Sequence, residues 1–180
     1  MVYIILGQGF EEIEAVSPCD ILRRGGVPVR FAAVGESKTV AGAHGILITA
    51  DVFIRDISPS ADDTIVIPGG MGGVNSIKGD EDAMELIKNF AKAGAKLAAI
   101  CAGPSVLSDL GLIDGKTITC YPGSEKLMGN AVCKLEKPIV ADVNLITGRA
   151  PGSAIEFGLE LLSHIKDRKI AEKIRTELVY

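Results

Sequence analysis

The sequence predicts an α/β protein in which helices cover both faces of a mostly parallel sheet. Three observations carry this. Short β-rich runs recur at Val2 to Leu6, Val29 to Val34, Thr64 to Ile67, Lys96 to Ile100, Thr117 to Thr119 and Asn144 to Thr147. Several have almost no polar alternation, as expected of strands buried on both faces. Helical patterns separate the runs, and a strand–helix alternation is the chain order of layered α/β folds. A length of 180 residues suits a single domain over 1–180, and no linker, low-complexity tract or repeat divides it.

Along the chain, the first run leads into a helix from Glu11 to Arg24. Acids occupy its first turn, Arg23 and Arg24 its last, and Gly25 and Gly26 stop it. Pro18 is expected to kink or restart this helix. Val40 to Asp51, with Gly42 and Gly45 flanking His44, reads as a hairpin laid beside the main sheet. Asp80 caps a second helix that places Met84, Ile87 and Ala91 on one side and stops at Gly94. A further helix begins near Ser105, and Gly152 to Ile165 and Arg168 to Leu178 read as two terminal helices.

Composition excludes several function classes. With 47% hydrophobic and 23% charged residues the chain is globular rather than disordered. A formal charge of −4 and no basic run argue against nucleic acid or an anionic membrane as partner. The longest uncharged stretch, Thr64 to Ile77, carries four glycines and a proline, too short and broken for a membrane span. Met1 is followed at once by a strand-like run, so a cytoplasmic location is expected. Cys19, Cys101, Cys120 and Cys133 are widely spaced and form no C-x-x-C pair, and reduced thiols are expected.

Candidate chemistry concentrates at three junctions. Leu97 to Pro104 is a buried-looking strand that meets small residues and then a helix, with Cys101 at the corner. Ligands in open α/β sheets bind beyond the carboxyl ends of strands, and a turned backbone there can present one nucleophile above the sheet. Helix-terminal amides are expected to lower the Cys101 pKa. The bland alternative is a buried cysteine acting as a small hydrophobe. Gly7 to Glu14 superficially resembles a dinucleotide loop, but Glu12 stands where the third glycine belongs and the acids would repel a pyrophosphate. Glu14, among Ile13, Ala15 and Val16, is instead a candidate for a buried, proton-bearing carboxyl beside the cysteine, whereas Glu11 and Glu12 complement the helix dipole. A solvated helix start remains the alternative for all three.

The third junction, Ile67 to Gly73, runs from a strand into a loop whose amides could form an oxyanion pocket, and without a following Gly-Lys-Ser/Thr it is no phosphate loop. A tight structural turn is the alternative. The two histidines, His44 and His164, adjoin no nucleophile, and no metal site is expected. His164 reads as structural.

Taken together, Gly9 to Glu14, Pro68-Gly69-Gly70, Ala99 to Pro104 and Arg149 to Phe157 resemble the ThiJ/PfpI superfamily, specifically its DJ-one branch, in order and over nearly the whole chain. The resemblance implies a flavodoxin-like three-layer α/β/α sandwich and a homodimer. It makes Cys101 the reactive, readily oxidised cysteine and Glu14 its protonated partner, with Gly69, Gly70 and Ala102 lining the pocket. Arg24 and His44 match positions near the dimer interface. The activities it implies are cofactor-independent glyoxalase or deglycase chemistry on reactive aldehydes such as methylglyoxal or their adducts, oxidative-stress sensing and chaperone action. Related subfamilies include peptidases. Members with clear glyoxalase or protease activity tend to carry a histidine beside the cysteine, and Tyr121 stands in its place here. A phenol is a poor general base at neutral pH.

Overall fold

The computed structural model describes residues 1–180. Strands β1 (Val2–Leu6), β2 (Val29–Ala33), β5 (Val52–Phe53), β6 (Thr64–Ile67), β7 (Lys96–Ile100), β10 (Ile139–Ala141) and β11 (Leu145–Gly148) form one sheet in the order β10-β11-β7-β6-β1-β2-β5. Every pairing is parallel except β10 with β11 at one edge. The hairpin is present as β3 (Thr39–Ala41) and β4 (Leu47–Thr49), an antiparallel pair forming its own small sheet.

The uninterrupted apolar runs have the expected cause. Successive side chains of β1 alternate between two cores: Val2, Ile4 and Leu6 join one, and Ile5 joins the other. The same split places Ala98 and Ile100 of β7 on the first face and Leu97 and Ala99 on the second. The first face is covered by α1 (Glu12–Arg24), α5 (Ala154–Ile165) and α6 (Arg168–Glu177). The second is covered by α2 (Met71–Lys78), α3 (Glu81–Lys92) and α4 (Pro104–Asp109). Three layers result, since a strand with both faces apolar needs helices above and below.

Several local expectations are corrected. The first helix does not restart at Pro18 but runs as one element from Glu12 to Arg24. Proline forfeits only the bond its nitrogen would donate to the Glu14 carbonyl, and packing against α5, where Gly158 sits close to Pro18 and Ile21, holds the helix together. Thr117 to Thr119 does not enter the main sheet. Only β8 (Thr117–Ile118) forms, paired with β9 (Val132–Cys133) in a separate two-stranded sheet. The glycine-rich stretch after β6 is a loop only as far as Gly70, because Met71 to Lys78 is helical. The α3 boundaries hold: the Asp80 side chain accepts from Ala83 N–H at 2.9 Å, and Gly94 takes a φ of 79° past the end.

Candidate active site at the Cys101 elbow

Cys101 follows β7 directly and has a φ of 64°, a left-handed conformation that L-residues adopt only under constraint. Its surroundings impose it. The Cys101 amide donates to Gly148 O at 2.9 Å, its carbonyl accepts from Tyr121 N–H at 3.0 Å, and Gly103 N–H donates to Ile100 O at 2.8 Å. A Cβ on Gly103 would run into the Ile67 carbonyl, so only glycine lets the elbow settle onto β6. The outcome is a half-buried sulfur held at the carboxyl end of a central strand.

Glu14 reaches the same point from α1. It is fully buried, and its Oε2 accepts from Gly69 N–H at 2.7 Å, while Oε1 is buried with no partner. An unpaired buried carboxylate oxygen is costly, and protonation relieves that cost. Burial accordingly pushes the Glu14 carboxyl up to about 7, against the pull of the Gly69 amide and the neighbouring Cys101 thiol. Gly69 is the spacer between the partners. A Cβ there would lie 2.6 Å from Glu14 Oε2, 2.8 Å from Cys101 Cβ and 3.0 Å from Ala102 N. Gly69→Ala is therefore expected to destabilise the fold by about 1–3 kcal/mol and to displace both side chains. Denaturant unfolding together with the Cys101 alkylation rate checks this, and unchanged values in both would refute the packing argument.

The expected lowering of the Cys101 pKa is reversed. Burial, then the Glu14 charge and its hydrogen bond, hold the thiol well above its usual range, while the Ala102 and Gly70 amides pull down without prevailing. The helix invoked for the lowering has only six residues, Pro104–Asp109, and brings little dipole to bear on the sulfur. At neutral pH the sulfur keeps its proton, and Glu14, titrating near 7, is the group poised to take it.

Known proteins resemble this chain over nearly its whole length. The family model of the DJ-1/PfpI family matches residues 1–164. The chain belongs to the DJ-1/PfpI family. It is 32% identical to protein dj-1beta of Drosophila melanogaster, covering 98% of this chain and 95% of that one. The crystal structure of Drosophila DJ-1beta superposes with a TM-score of 0.92 at 31% identity, covering 99% and 96% of the two chains. A DJ-1 superfamily protein from Salmonella typhimurium, crystallised as a cysteine-to-alanine mutant, gives 0.92 at 28% identity, covering 99% and 97%. Oxidised Toxoplasma gondii DJ-1 gives 0.88 at 32%, covering 99% and 97%.

Within this DJ-1/PfpI chain the predicted site residues divide into two groups. Cys101, Glu14, Gly69, Gly70 and Ala102 converge, since the Gly70 and Ala102 amides interact with the Cys101 sulfur and Gly69 holds Glu14. Tyr121 touches the elbow through its backbone, and its side chain is exposed. Arg24 pairs with Asp20 on the surface of α1 at 2.7 Å, near the far end of the helix from Glu14. His44 Nδ1 lies 2.9 Å from Glu12 Oε2, and His164 pairs with Glu160, so neither histidine is spent on Cys101.

Glu12 is a residue whose role the sequence hid. It is buried, and its Oε1 accepts from His44 N–H at 2.7 Å and, more weakly, from Ile46 N–H at 3.4 Å. Burial alone would raise this carboxyl, but the His44 ring and the backbone amides bring it below the usual range, and Glu12 in turn raises the pKa of His44. Ligand atoms of Glu11, Glu12 and His44 lie within 4.8 Å of one another. With both Glu12 oxygens engaged in hydrogen bonds, the group reads as a latch fastening the hairpin turn to the start of α1. Nothing in the sequence spacing links residues so far apart. Surface clefts of ≈ 570 Å³ beside Arg23 and Arg30 and of ≈ 370 Å³ between α5 and α6 include neither Cys101 nor Glu14.

Proposed function

We propose that this DJ-1/PfpI protein is a cysteine-dependent, cofactor-independent enzyme of the glyoxalase or deglycase type, acting on small reactive aldehydes such as methylglyoxal or their adducts. The observation that carries the reading is the buried Glu14 carboxyl, titrating near 7, beside a thiol that two backbone amides address. Cys101 Sγ attacks the aldehyde carbon, and the thiol proton passes to Glu14 as the sulfur–carbon bond forms. The carbonyl electron pair moves onto oxygen, where the Gly70 and Ala102 amides offer hydrogen bonds. Glu14 returns that proton to the oxygen, completing a hemithioacetal. The carboxylate so regenerated takes the proton from the former aldehyde carbon and delivers it to the neighbouring carbon, as the hydroxyl proton moves to the neighbouring oxygen. Water then releases lactate from the resulting thioester and restores the thiol. A base near neutrality supplies what Tyr121 cannot.

Methylglyoxal consumption with lactate formation tests this in thiol-free buffer. The native chain is expected to turn over and Cys101→Ala to lose all activity above the uncatalysed rate. Equal activity in both would sink the proposal. A peptidase reading has little support, because His44 and His164 are both committed to glutamates. The second reading, a non-enzymatic redox sensor or chaperone built on Cys101 oxidation, draws on the oxidised Toxoplasma relative. It requires Cys101 to oxidise ahead of Cys19, Cys120 and Cys133 under mild peroxide, which peptide mass spectrometry reads directly.

A homodimer is part of the same proposal. Ile13 and Val16 on α1 and Ile46 and Leu47 at the hairpin are exposed apolar side chains on two elements that Glu12 latches together. Such a patch suits a self-complementary two-fold contact. Leu47→Glu is expected to convert a dimer to a monomer in light scattering, and a native chain that is already monomeric would refute it. No helix is long and apolar enough to cross a membrane. Four unbridged cysteines support placing the protein in a reducing compartment, the cytoplasm.

A further inference from the structure

We propose that Cys120 and Cys133 form a second redox site, a dithiol that peroxide converts to an intrachain disulfide without the participation of Cys101. The two sulfurs lie 4.0 Å apart although they stand 13 positions apart in sequence, and no motif announces the pair. The register explains the meeting. In the parallel β8–β9 pair Ile118 stands opposite Cys133, and Cys120, two residues beyond Ile118, shares its side of the strand line.

The burial of the two thiols differs in the way a sensing pair requires. Cys133 is half-buried on the short strand β9, so solvent reaches it, while Cys120 is fully buried behind it. Burial, and then the neighbouring Cys133 sulfur, keep the Cys120 thiol protonated. Cys133 is thus the sulfur that meets an oxidant first, and Cys120 is the resolving partner.

The chemistry balances with hydrogen peroxide as the oxidant. Cys133 sulfur attacks one peroxide oxygen, the O–O bond breaks, and water leaves with the thiol proton to give a sulfenic acid. Cys120 Sγ then attacks that sulfur, the S–O bond breaks, and the departing hydroxide takes the Cys120 proton as a second water. One disulfide forms and one peroxide is reduced. Closing 4.0 Å to a sulfur–sulfur bond of about 2 Å falls on the Cys133 side. Cys120 is flanked by fixed backbone: Thr119 N–H donates to Thr147 Oγ1 at 2.9 Å, and Tyr121 N–H donates to Cys101 O at 3.0 Å. Cys133 is also flanked by paired backbone, with Val132 N–H donating to Lys116 O and Lys134 N–H to Ile118 O at 2.8 Å each, so the closure is a rotation of the half-buried Cys133 side chain toward the fully buried Cys120.

The test uses the full-length native chain and Cys101→Ala, each treated with stoichiometric hydrogen peroxide, blocked with iodoacetamide in denaturant and digested without reduction. Lys126 lies between the two cysteines, so trypsin leaves them on separate peptides joined only by the disulfide. The expected result is joint, one-to-one loss of the Cys120 and Cys133 thiols in both proteins, with a linked peptide that dithiothreitol separates. Cys133→Ser is expected to leave Cys120 a free thiol under the same treatment. Conversion of Cys133 to sulfinic acid with Cys120 still reduced, a linkage between chains instead of within one, or a linkage that vanishes in Cys101→Ala would each overturn the proposal. The Cys101→Ala arm separates its failure from that of the aldehyde chemistry.

Discussion

Glu14→Gln is expected to cut methylglyoxal turnover by about 10²–10⁴-fold while making Cys101 more reactive toward iodoacetamide. The two effects have opposite signs because Glu14 acts on the thiol in two ways. As a base it removes the thiol proton during attack on an aldehyde, and the amide cannot. As a neighbouring negative charge it holds the thiol protonated, and the amide removes that charge. Native turnover is expected to rise with pH through about 7, where the carboxyl ionises, and to level off above it. The Gln variant loses that inflection. Stopped-flow alkylation alongside steady-state turnover decides the matter, and a parallel fall in both rates would mean that Glu14 supports a thiolate instead of acting as a base.

The same substitution is expected to stabilise the fold at alkaline pH. Glu14 has a folded value of about 7 against an ordinary value of 4.5. Below the ordinary value both folded and unfolded chains hold the proton, and the burial carries no ionisation cost. Between the two values the unfolded chain has released the proton and the folded chain keeps it, so stability falls as pH rises. Above the folded value the loss is complete, on the order of 3 kcal/mol for a shift of this size. Denaturant unfolding at about pH 4 and about pH 8 should show Glu14→Gln gaining that much on the native chain across the interval. Equal pH dependence in the two proteins would show that the carboxyl is solvated and ionised in the fold. His44 works in the same direction more weakly at the surface: its raised value means that its contribution is present in acid and lost as pH rises through the folded value.

The layered fold was legible because both faces of each central strand are apolar. Val2–Leu6, Thr64–Ile67 and Lys96–Ile100 show this without any knowledge of their neighbours. The strand-to-helix corner at Cys101 was legible for a related reason: Cys101 stands between a buried strand and a stretch of small residues, a pattern confined to a few consecutive positions. The left-handed conformation of Cys101 and the role of Gly103 were not, because the first rests on backbone partners at Gly148 and Tyr121 and the second on the Ile67 carbonyl of a neighbouring strand.

Secondary structure that depends on partners went astray where periodicity is short. Two residues of β8 cannot show whether they join the main sheet or pair with β9, and Pro18 cannot show that α5 holds its helix together. By itself the sequence determined the α/β class and the order of the main elements, since each rests on local runs of residue types, and it offered Cys101 as a candidate from its corner position and Glu14 through the family resemblance. Only the tertiary structure decided the protonation order of those two groups, the Glu12 latch on the hairpin and the meeting of Cys120 with Cys133. Each of these depends on distance and desolvation between residues far apart in the chain, and burial acts on a charge only once the chain has closed around it.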